Sequence, residues 1–448
     1  MFGTSGIRGP VGEAVTAELA LSVGRALGVD TDSVVIGRDA RDSGRALSHA
    51  LAAGLMESGT DVIDLGVVAT PTAARTVGRV GADAGAVVTA SHNPPQDNGL
   101  KLWSPSGQAF DEERRSIIAD RMAEQTIELA PWDGHGERSA DVSAVNAHQR
   151  ALVEAGQQWF ETESRSGDDV SVVVDVGNGT GGVTVDALRA LDVSVETLNG
   201  RPDGRFPARP SEPTADTCES LARFVQAGDA DLGVAHDGDA DRMMAVDETG
   251  TFVPGDLLLA TFAHEIAGDG DRVAAPVDTS LAVDDALADV GAELVHTSVG
   301  DVFVAEKTRQ EGVVFGGEPS GAWIFPSETL CPDGPLAAVR LAILAAAQPL
   351  SERVASFEPY PIRRTSIETT AKTAVMEAVH ADSTAITGAV TTLDGVRVSR
   401  DEGWFLIRAS GTQPLVRLTA EARDDTTTDQ LFEEAHALVT AAVDRTES

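Results

Sequence analysis

Lysine is almost missing from this sequence: Lys101, Lys307 and Lys372 are the only ones, and every other basic residue is arginine. Cysteine is scarcer still. Cys218 and Cys331 stand far apart and in no ligand spacing, which excludes a disulfide framework and a cysteine zinc site. Aromatic residues make up only 4% of the chain, and tyrosine occurs once. No uncharged apolar run is long enough to span a bilayer, and no apolar export segment stands near the start. Low-complexity segments are absent as well. These absences point to a cytoplasmic globular protein, and 448 residues suffice for several domains with sizeable cores.

Positive charge is what the chain lacks most. Against 71 acidic residues stand 34 basic ones, a net charge of −37. Such a chain repels nucleic acid and anionic membranes, so neither is expected as a partner. The acidic residues run through the whole length rather than collecting in a tail. The pattern predicts a densely charged surface suited to concentrated salt, a halophilic source, and low stability in dilute buffer, where self-repulsion is unscreened.

Three stretches repeat one grammar: a β-rich run, a loop rich in Gly or Asp, an Ala/Leu-rich helix and a second β-rich run. The first is Ser33 to Asp39, a helix from Ala46 to Met56, then Asp61 to Leu65. The second is Val170 to Val176, the loop Gly177 to Gly182, a helix to Leu191, then Val193 to Thr197. The third is Arg272 to Val277, a helix ending at Val290, then Ala292 to His296. Apolar runs alternating with helices of this length predict α/β layers with largely parallel strands. The last ninety or so residues read differently. Strands are expected at 360–368, 395–398, 404–407 and 415–420, and helices at 371–380 and 428–443, which makes a small α+β domain. The predicted division is 1–160, 161–250, 251–355 and 356–448, with linkers at 161–169, 247–255 and 348–360.

Five motifs sit on loops at the ends of predicted strands, where α/β sheets place their ligands. Thr89-Ala-Ser-His-Asn-Pro94 sets Ser91 beside His92 on a Pro-ended turn, a fit for a nucleophile or phosphoryl carrier, and Lys101 follows closely. An ordinary Asn-Pro turn is the competing reading. Asp237-Gly-Asp-Ala-Asp-Arg242 offers carboxylates at i, i+2 and i+4, which can converge on a hard cation. An EF-hand loop fails because Arg242 stands where that loop needs Gly, and because the flanks read as strands. An aspartyl nucleophile at Asp237 and a solvated acidic turn stay open. Gly316-Gly-Glu-Pro-Ser-Gly321 presents Glu318 and Ser320, an acceptor and a donor suited to sugar hydroxyls. Arg408-Ala-Ser-Gly-Thr-Gln-Pro414, with Arg417 beyond it, gathers guanidinium groups and hydroxyls around a Gly turn and suits a phosphate. The fifth comprises 2–9 and 37–44, two loops bearing Gly and Arg. Arg8, Arg38, Arg41, Lys101, Arg242, Arg408 and Arg417 all fall in these loops, so a local positive region is expected despite the net charge.

Taken in order from Phe2 to the end of the chain, these motifs resemble the α-D-phosphohexomutase superfamily, and most closely its phosphoglucosamine mutases. The resemblance implies an α/β fold of three topologically related α/β domains plus a C-terminal α+β domain around a central cleft. It implies an isomerase that moves a phosphoryl group on a hexose or aminohexose phosphate through a 1,6-bisphosphate. Ser91 would be the phosphoserine. Asp237, Asp239 and Asp241, with a phosphate oxygen on Ser91, would hold one Mg²⁺. Lys101, Arg8 and His92 would serve the transfer, Lys101 in proton movement. Arg242, Glu318, Ser320, Arg408, Ser410, Gly411, Thr412 and Arg417 would bind the sugar phosphate, and a hexose 1,6-bisphosphate would act as activator. Two departures stand out. Ala322 occupies the place where many members carry His after the sugar loop, which shifts acid/base weight to Lys101 or to a group outside these motifs. Ala409 and Gln413 replace frequent Pro and Glu in the phosphate loop. Glucosamine phosphate is the leading substrate, with a broad phosphomannomutase/phosphoglucomutase, an Asp237 phosphatase and a silent sugar-phosphate-binding protein as alternatives. Monomer and dimer are both open.

Overall fold

The computed structural model describes residues 3, 6–124, 127–383, 386–410 and 414–446. They form two compact units, one of Met1–Leu258 with Ser320–Val354, the other of Leu259–Pro319 with Ala355–Ser448.

The first sheet starts the chain. Its elements are β1 (Ile7–Pro10), α1 (Ala17–Gly28), β2 (Ser33–Arg38), α2 (Gly44–Glu57), β3 (Asp61–Val67), α3 (Thr70–Val80), β4 (Ala84–Val88), β5 (Asp97–Trp103), α4 (Glu112–Glu124), β6 (Arg138–Ala140) and α5 (Ala144–Thr162). The strand order is β1-β5-β4-β2-β3-β6. The pairs β2/β3, β2/β4 and β3/β6 are parallel, and β4/β5 and β1/β5 are antiparallel. Every residue of β4 is buried, as the apolar run Ala84 to Val88 requires of a strand covered on both faces.

The second sheet holds β7 (Ser171–Asp175), α6 (Gly182–Ala190), β8 (Ser194–Leu198), α7 (Glu219–Ala227), β9 (Leu232–His236), β10 (Met243–Asp247) and β11 (Phe252–Val253), in the order β11-β10-β9-β7-β8. The third comprises α8 (Gly255–Ile266), β12 (Arg272–Pro276), α9 (Leu281–Asp289), β13 (Glu293–Thr297), α10 (Asp301–Thr308) and β14 (Val313–Glu318), with β13 and β14 flanking β12 in parallel. Next come β15 (Ala322–Ile324), α11 (Gly334–Ala347) and α12 (Leu350–Val354), all within the first unit.

The three repeats share one topology. In each, the first strand (β2, β7, β12) lies between the second (β3, β8, β13) and a third that pairs with it in parallel (β4, β9, β14). Ser91 follows β4, Asp237 follows β9 and Glu318 ends β14, so the three motifs occupy one equivalent position, the carboxyl end of the third strand.

The last sheet is wholly antiparallel: β16 (Ile362–Glu368), β17 (Ala389–Thr391), β18 (Val396–Arg400), β19 (Gly403–Ala409) and β20 (Leu415–Ala422), in the order β16-β20-β19-β18-β17. Helices α13 (Lys372–Ser383) and α14 (Asp425–Thr446) cover one face, burying Val375, Val379, Leu431, Ala435 and Val439 against Val398, Phe405 and Leu418. The expected α+β tail is therefore present, and β17 is an extra edge strand that its three exposed residues gave no sign of.

The expected linkers carry structure. The segment 247–255 is the turn and return strand of the β10/β11 hairpin, because Ala245 pairs with Val253. Residues 350–354 of the last one are helical. No helix among the described residues is long and apolar enough to cross a membrane.

Candidate active site

Ser91 is buried and bonded to several other buried polar groups. Its backbone is in the left-handed region at φ 49°, a strained setting for a residue with a Cβ, and the surrounding bonds hold it there. Thr89 Oγ1 accepts from the Ser91 amide at 2.8 Å. The Ser91 carbonyl accepts from Arg41 Nη2 at 2.9 Å and from Ser211 Oγ at 2.8 Å. Arg41 does far more than point at a ligand. Its guanidinium also donates to the carbonyls of Asn93, Pro94 and Asp97 at 2.7, 2.6 and 2.9 Å, and to Asp39 Oδ2 at 2.9 Å. Both members of the Asp39–Arg41 pair are fully buried. Arg41 is thus a clamp inside the Ser91 loop, not a cation of the open site, which corrects the expectation from its charge.

The three carboxylates of the Asp237 loop converge as their i, i+2, i+4 spacing predicts. One ligand oxygen from each of Asp237, Asp239 and Asp241 lies within 4.8 Å of the others, and all three residues are buried. Ala240, between two of them, has φ 57°, which turns the loop tightly enough to bring them together. Ser91 Oγ donates to Asp237 Oδ2 at 2.6 Å and lies 3.5 Å from Asp241 Oδ1. Burial, then the charges of Asp241 and Asp239, push the Asp237 carboxyl well above its ordinary range, with Arg242 and Ser91 pulling the other way. Asp239 Oδ1 is buried with no hydrogen-bond partner among the described residues. Three buried acids, all hard oxygen donors, one of them with an orphaned oxygen, fit a divalent hard cation.

The loop is braced from several sides. His236 Nδ1 donates to the Arg242 carbonyl at 2.9 Å, and its Nε2 accepts from Thr184 at 2.8 Å; burial keeps it neutral. A Cβ on Gly238 would meet Ser211 Oγ at 2.7 Å and Ser91 O at 2.8 Å, so the two loops approach as closely as a Gly allows. A Cβ on Gly334, at the start of α11, would meet the Arg242 carbonyl at 2.4 Å. Ala322 is buried and bridged to Arg242, so the place where a His was looked for faces the end of the metal loop.

Cations gather near the same groups. Lys101 is buried, with Nζ 4.0 Å from Asp241 Oδ2 and 4.7 Å from the Trp103 ring centroid. Arg8 lies on β1 opposite Gly99, and its Nε is buried without a partner among the described residues. Arg242 Nη1 lies 3.8 Å from Glu212. His92 Nδ1 is 3.3 Å from Ser91 Oγ. Burial, followed by the charges of Arg242, Arg8, Arg41 and Lys101, drives the His92 pKa far below its ordinary value. His92 is therefore neutral, able to accept a proton bond but not to donate a proton as an imidazolium.

In the second unit Glu318 is buried and its Oε1 accepts from the Gly300 amide at 2.8 Å. Ser320 belongs to the first unit and is exposed on the turn before β15. Arg408 Nη1 lies 3.2 Å from Asp394, and the Ser410 carbonyl accepts from Lys372 Nζ at 2.6 Å. Gly411 and Thr412, like Phe2, Thr4 and Ser5, lie outside the described residues. A pocket of about 360 Å³ is lined by Asp278, Arg364, Ser366, Arg408, Arg417 and Thr419, among others. The register puts Arg408 opposite Arg417 and Ser366 opposite Arg417, so three arginines share one sheet face. Among the described residues, the side chains of Arg364 and Arg417 have no hydrogen bond or ion pair, and the charges of Arg408 and Arg364 act on Asp278 beside them. Like charges this close repel, which leaves the face suited to an anion.

Sequence reasoning missed Arg364, Ser211 and Thr70. Arg364 alternates with Ser366 along a strand, a readable signal. Ser211 lies in an irregular loop with none.

Comparisons with known proteins agree with this geometry. Four family models match in order: phosphoglucomutase/phosphomannomutase α/β/α domain I over residues 1–128, domain II over 150–250, domain III over 254–360 and the C-terminal domain over 365–438. A protein of Methanopyrus kandleri named "Probable phosphoglucosamine mutase" is 43% identical over 453 residues, covering 99% of this chain and 98% of its own length. One of the same name from Methanosarcina acetivorans is 43% identical over 447 residues, covering 99% of each. A crystal structure of a phosphoglucomutase/phosphomannomutase family protein from Burkholderia thailandensis superposes with a TM-score of 0.84 at 28% identity, covering 99% of this chain and 98% of the other.

Proposed function

Because the chain belongs to the phosphoglucomutase/phosphomannomutase family, the phosphohexomutase isomerases, we propose that it interconverts glucosamine 6-phosphate and glucosamine 1-phosphate through phosphorylated Ser91. The observation that carries the reading is Ser91 Oγ, 2.6 Å from Asp237 within a buried carboxylate triad and held at a strained φ by Arg41 and Ser211. A strained, tightly bonded serine is pre-organised as an acceptor and donor of a phosphoryl group.

Asp237, Asp239 and Asp241 would hold one Mg²⁺, which supplies neutralising charge to phosphoryl oxygens. The side chains do the rest. A free hydroxyl of the sugar monophosphate attacks the phosphorus of phosphoserine, the P–Oγ bond breaks, and the sugar becomes a 1,6-bisphosphate. The bisphosphate turns over, Ser91 Oγ attacks its other phosphorus, the bond from that phosphorus to the sugar oxygen breaks, and the sugar oxygen takes up the proton that Oγ gives up, so the isomeric monophosphate leaves and the phosphorylated enzyme is restored. Lys101 exchanges the proton between the two oxygens, and neutral His92 accepts a hydrogen bond beside them. Arg8 and Arg242 balance the charge of the transferring group. Glu318 and Ser320 grip sugar hydroxyls. Arg408, Ser410, Gly411, Thr412 and Arg417 hold the phosphate that is not reacting, with Arg364 extending that set. A hexose 1,6-bisphosphate primes the enzyme. The chain works in the cytoplasm, where its two buried free thiols stay reduced. The division into domains at 1–160, 161–250, 251–355 and 356–448 gives each motif to one domain.

A broader phosphomannomutase/phosphoglucomutase is the second reading, favoured by the family models. A substrate panel separates the two. In KCl of about molar strength with Mg²⁺ and a trace of glucose 1,6-bisphosphate, kcat/KM for glucosamine 1-phosphate should exceed that for glucose and mannose 1-phosphates by about a hundredfold, roughly 2.7 kcal/mol. Equal turnover of all three would remove the amino-sugar assignment. Ser91→Ala retaining activity would remove the phosphoserine mechanism altogether.

A further inference from the structure

We propose that Thr70 is a positioning residue that sets Asp239 to offer a single oxygen to the metal. The proposal rests on the reading of the Asp237 loop as a divalent-cation site. Thr70 opens α3, twenty-one residues before Ser91, and belongs to none of the five motifs.

Thr70 grips Asp239 at two points. Its hydroxyl donates to Asp239 Oδ2 at 2.5 Å, and its amide donates to the Asp239 carbonyl at 2.9 Å. Backbone and carboxylate are thereby fixed together, so the side chain cannot rotate without breaking the first bond. The oxygen that Thr70 leaves over, Oδ1, is the buried one without a partner among the described residues. A carboxylate desolvated on one oxygen and bonded on the other is costly unless a cation meets the bare oxygen. The other two acids are engaged as well, Asp237 by Ser91 at 2.6 Å and Asp241 by Lys101 at 4.0 Å. Ser91 and Lys101 belong to the transfer itself. The Thr70 hydroxyl bonds the acid and belongs to none of the transferring groups, so its contact serves orientation.

The helix that carries Thr70 is itself anchored. Pro71 fixes its first turn, and Thr70 and Thr72 are buried. Thr72 Oγ1 donates to His148 Nδ1 at 2.8 Å, His148 Nε2 donates to Asp333 at 3.2 Å, and Arg75 Nε donates to the same carboxylate at 2.7 Å. Asp333 in turn caps α11 by accepting from the Leu336 amide at 3.0 Å. Helices α3, α5 and α11 are thus tied at one buried carboxylate, which makes α3 a rigid mount. Partners of this kind, one step behind the ligands, typically change metal affinity by about 10- to 100-fold when lost.

The test measures Mn²⁺ affinity directly on the full chain, by electron paramagnetic resonance titration in constant KCl, for wild type, Thr70→Val, Thr70→Ser and Asp239→Asn. Thr70→Val keeps the shape and removes the hydroxyl; it should weaken Mn²⁺ binding by about 10- to 100-fold. Thr70→Ser, which restores the donor, should stay within about threefold of wild type. Should Thr70→Val misfold by circular dichroism, Thr70→Ala carries the same expectation. Wild-type affinity in a folded Thr70 variant lacking the hydroxyl, with Asp239→Asn impaired, would overturn the proposal. Wild-type affinity in Asp239→Asn would instead overturn the metal reading on which it rests. Equal loss in the Ser and Val variants would mean the site needs the Thr methyl, and would also refute the hydroxyl's role.

Discussion

Replacing Arg41 by Met should loosen the Ser91 loop more than any other single change outside the reacting groups. The guanidinium bonds four carbonyls, of Ser91, Asn93, Pro94 and Asp97, and pairs with Asp39, with no solvent at either partner. Met matches most of the volume but supplies no donor. Asp39 would keep its bonds from Thr89 Oγ1 at 2.8 Å and from the Arg41 amide at 2.9 Å, and would lose its counter-charge. Burial already raises its carboxyl to about 6 against the pull of Arg41. Breaking one side of a buried pair costs about 3–5 kcal/mol, since the remaining charge is uncompensated. The carbonyls left short of donors fall within that figure rather than adding to it, because relaxation of the loop serves both. Urea unfolding in constant KCl measures the loss, and amide exchange over 89–98 locates it. The double variant Asp39→Asn/Arg41→Met closes a cycle, and its coupling should reach about 2 kcal/mol. A loss below about 1 kcal/mol for Arg41→Met, or additive effects in the cycle, would refute the clamp.

Three further outcomes are expected. His296 accepts from Arg397 Nη1 at 2.8 Å, and burial, then Arg397, lower its pKa from 6.5 to about 4. The unfolded chain therefore takes up a proton that the folded chain refuses. Its contribution is intact above pH 6.5 and is lost as pH falls toward 4, up to about 3 kcal/mol, so His296→Gln should flatten stability against pH in that window. Arg364→Ala should raise KM for the sugar phosphate about tenfold with kcat nearly unchanged, read by steady-state kinetics; a fall in kcat alone would contradict a ground-state phosphate contact. With a net charge of −37, the urea midpoint should climb steadily as KCl rises from about 0.1 to 2 M, and a flat response would remove the expectation of a salt-adapted surface.

Much of the site was legible in the sequence because its chemistry is local. Asp237, Asp239 and Asp241 reach one point through a five-residue turn, and Ser91 stands three residues after the end of a buried strand. Other roles were not legible, or were read wrongly. Arg41 looked like a cation for the substrate because charge says nothing of burial. His92 reads in the sequence only as a neighbour of Ser91, and its burial, followed by the charges of the four cations around it, is what holds it neutral. The segment 247–255 reads as a linker because its turn residues, Glu248 to Gly250, are those of any exposed loop; the domain II and domain III matches meet within it, at 250 and 254, and the hairpin it forms had no local signal.

The sequence by itself determined the three β-α-β repeats, the α+β tail and the placing of the Ser91, Asp237 and Glu318 motifs at the carboxyl ends of strands, because hydrophobic periodicity and turn residues act over a few neighbours. Only the tertiary structure decided which distant groups meet: Thr70 with Asp239, 169 residues on, Ser211 with Ser91, and Ala322 with Arg242. Those meetings depend on strand register and on the close approach of loops through Gly238 and Gly334. Both are set by how whole layers pack, and no window of sequence encodes them.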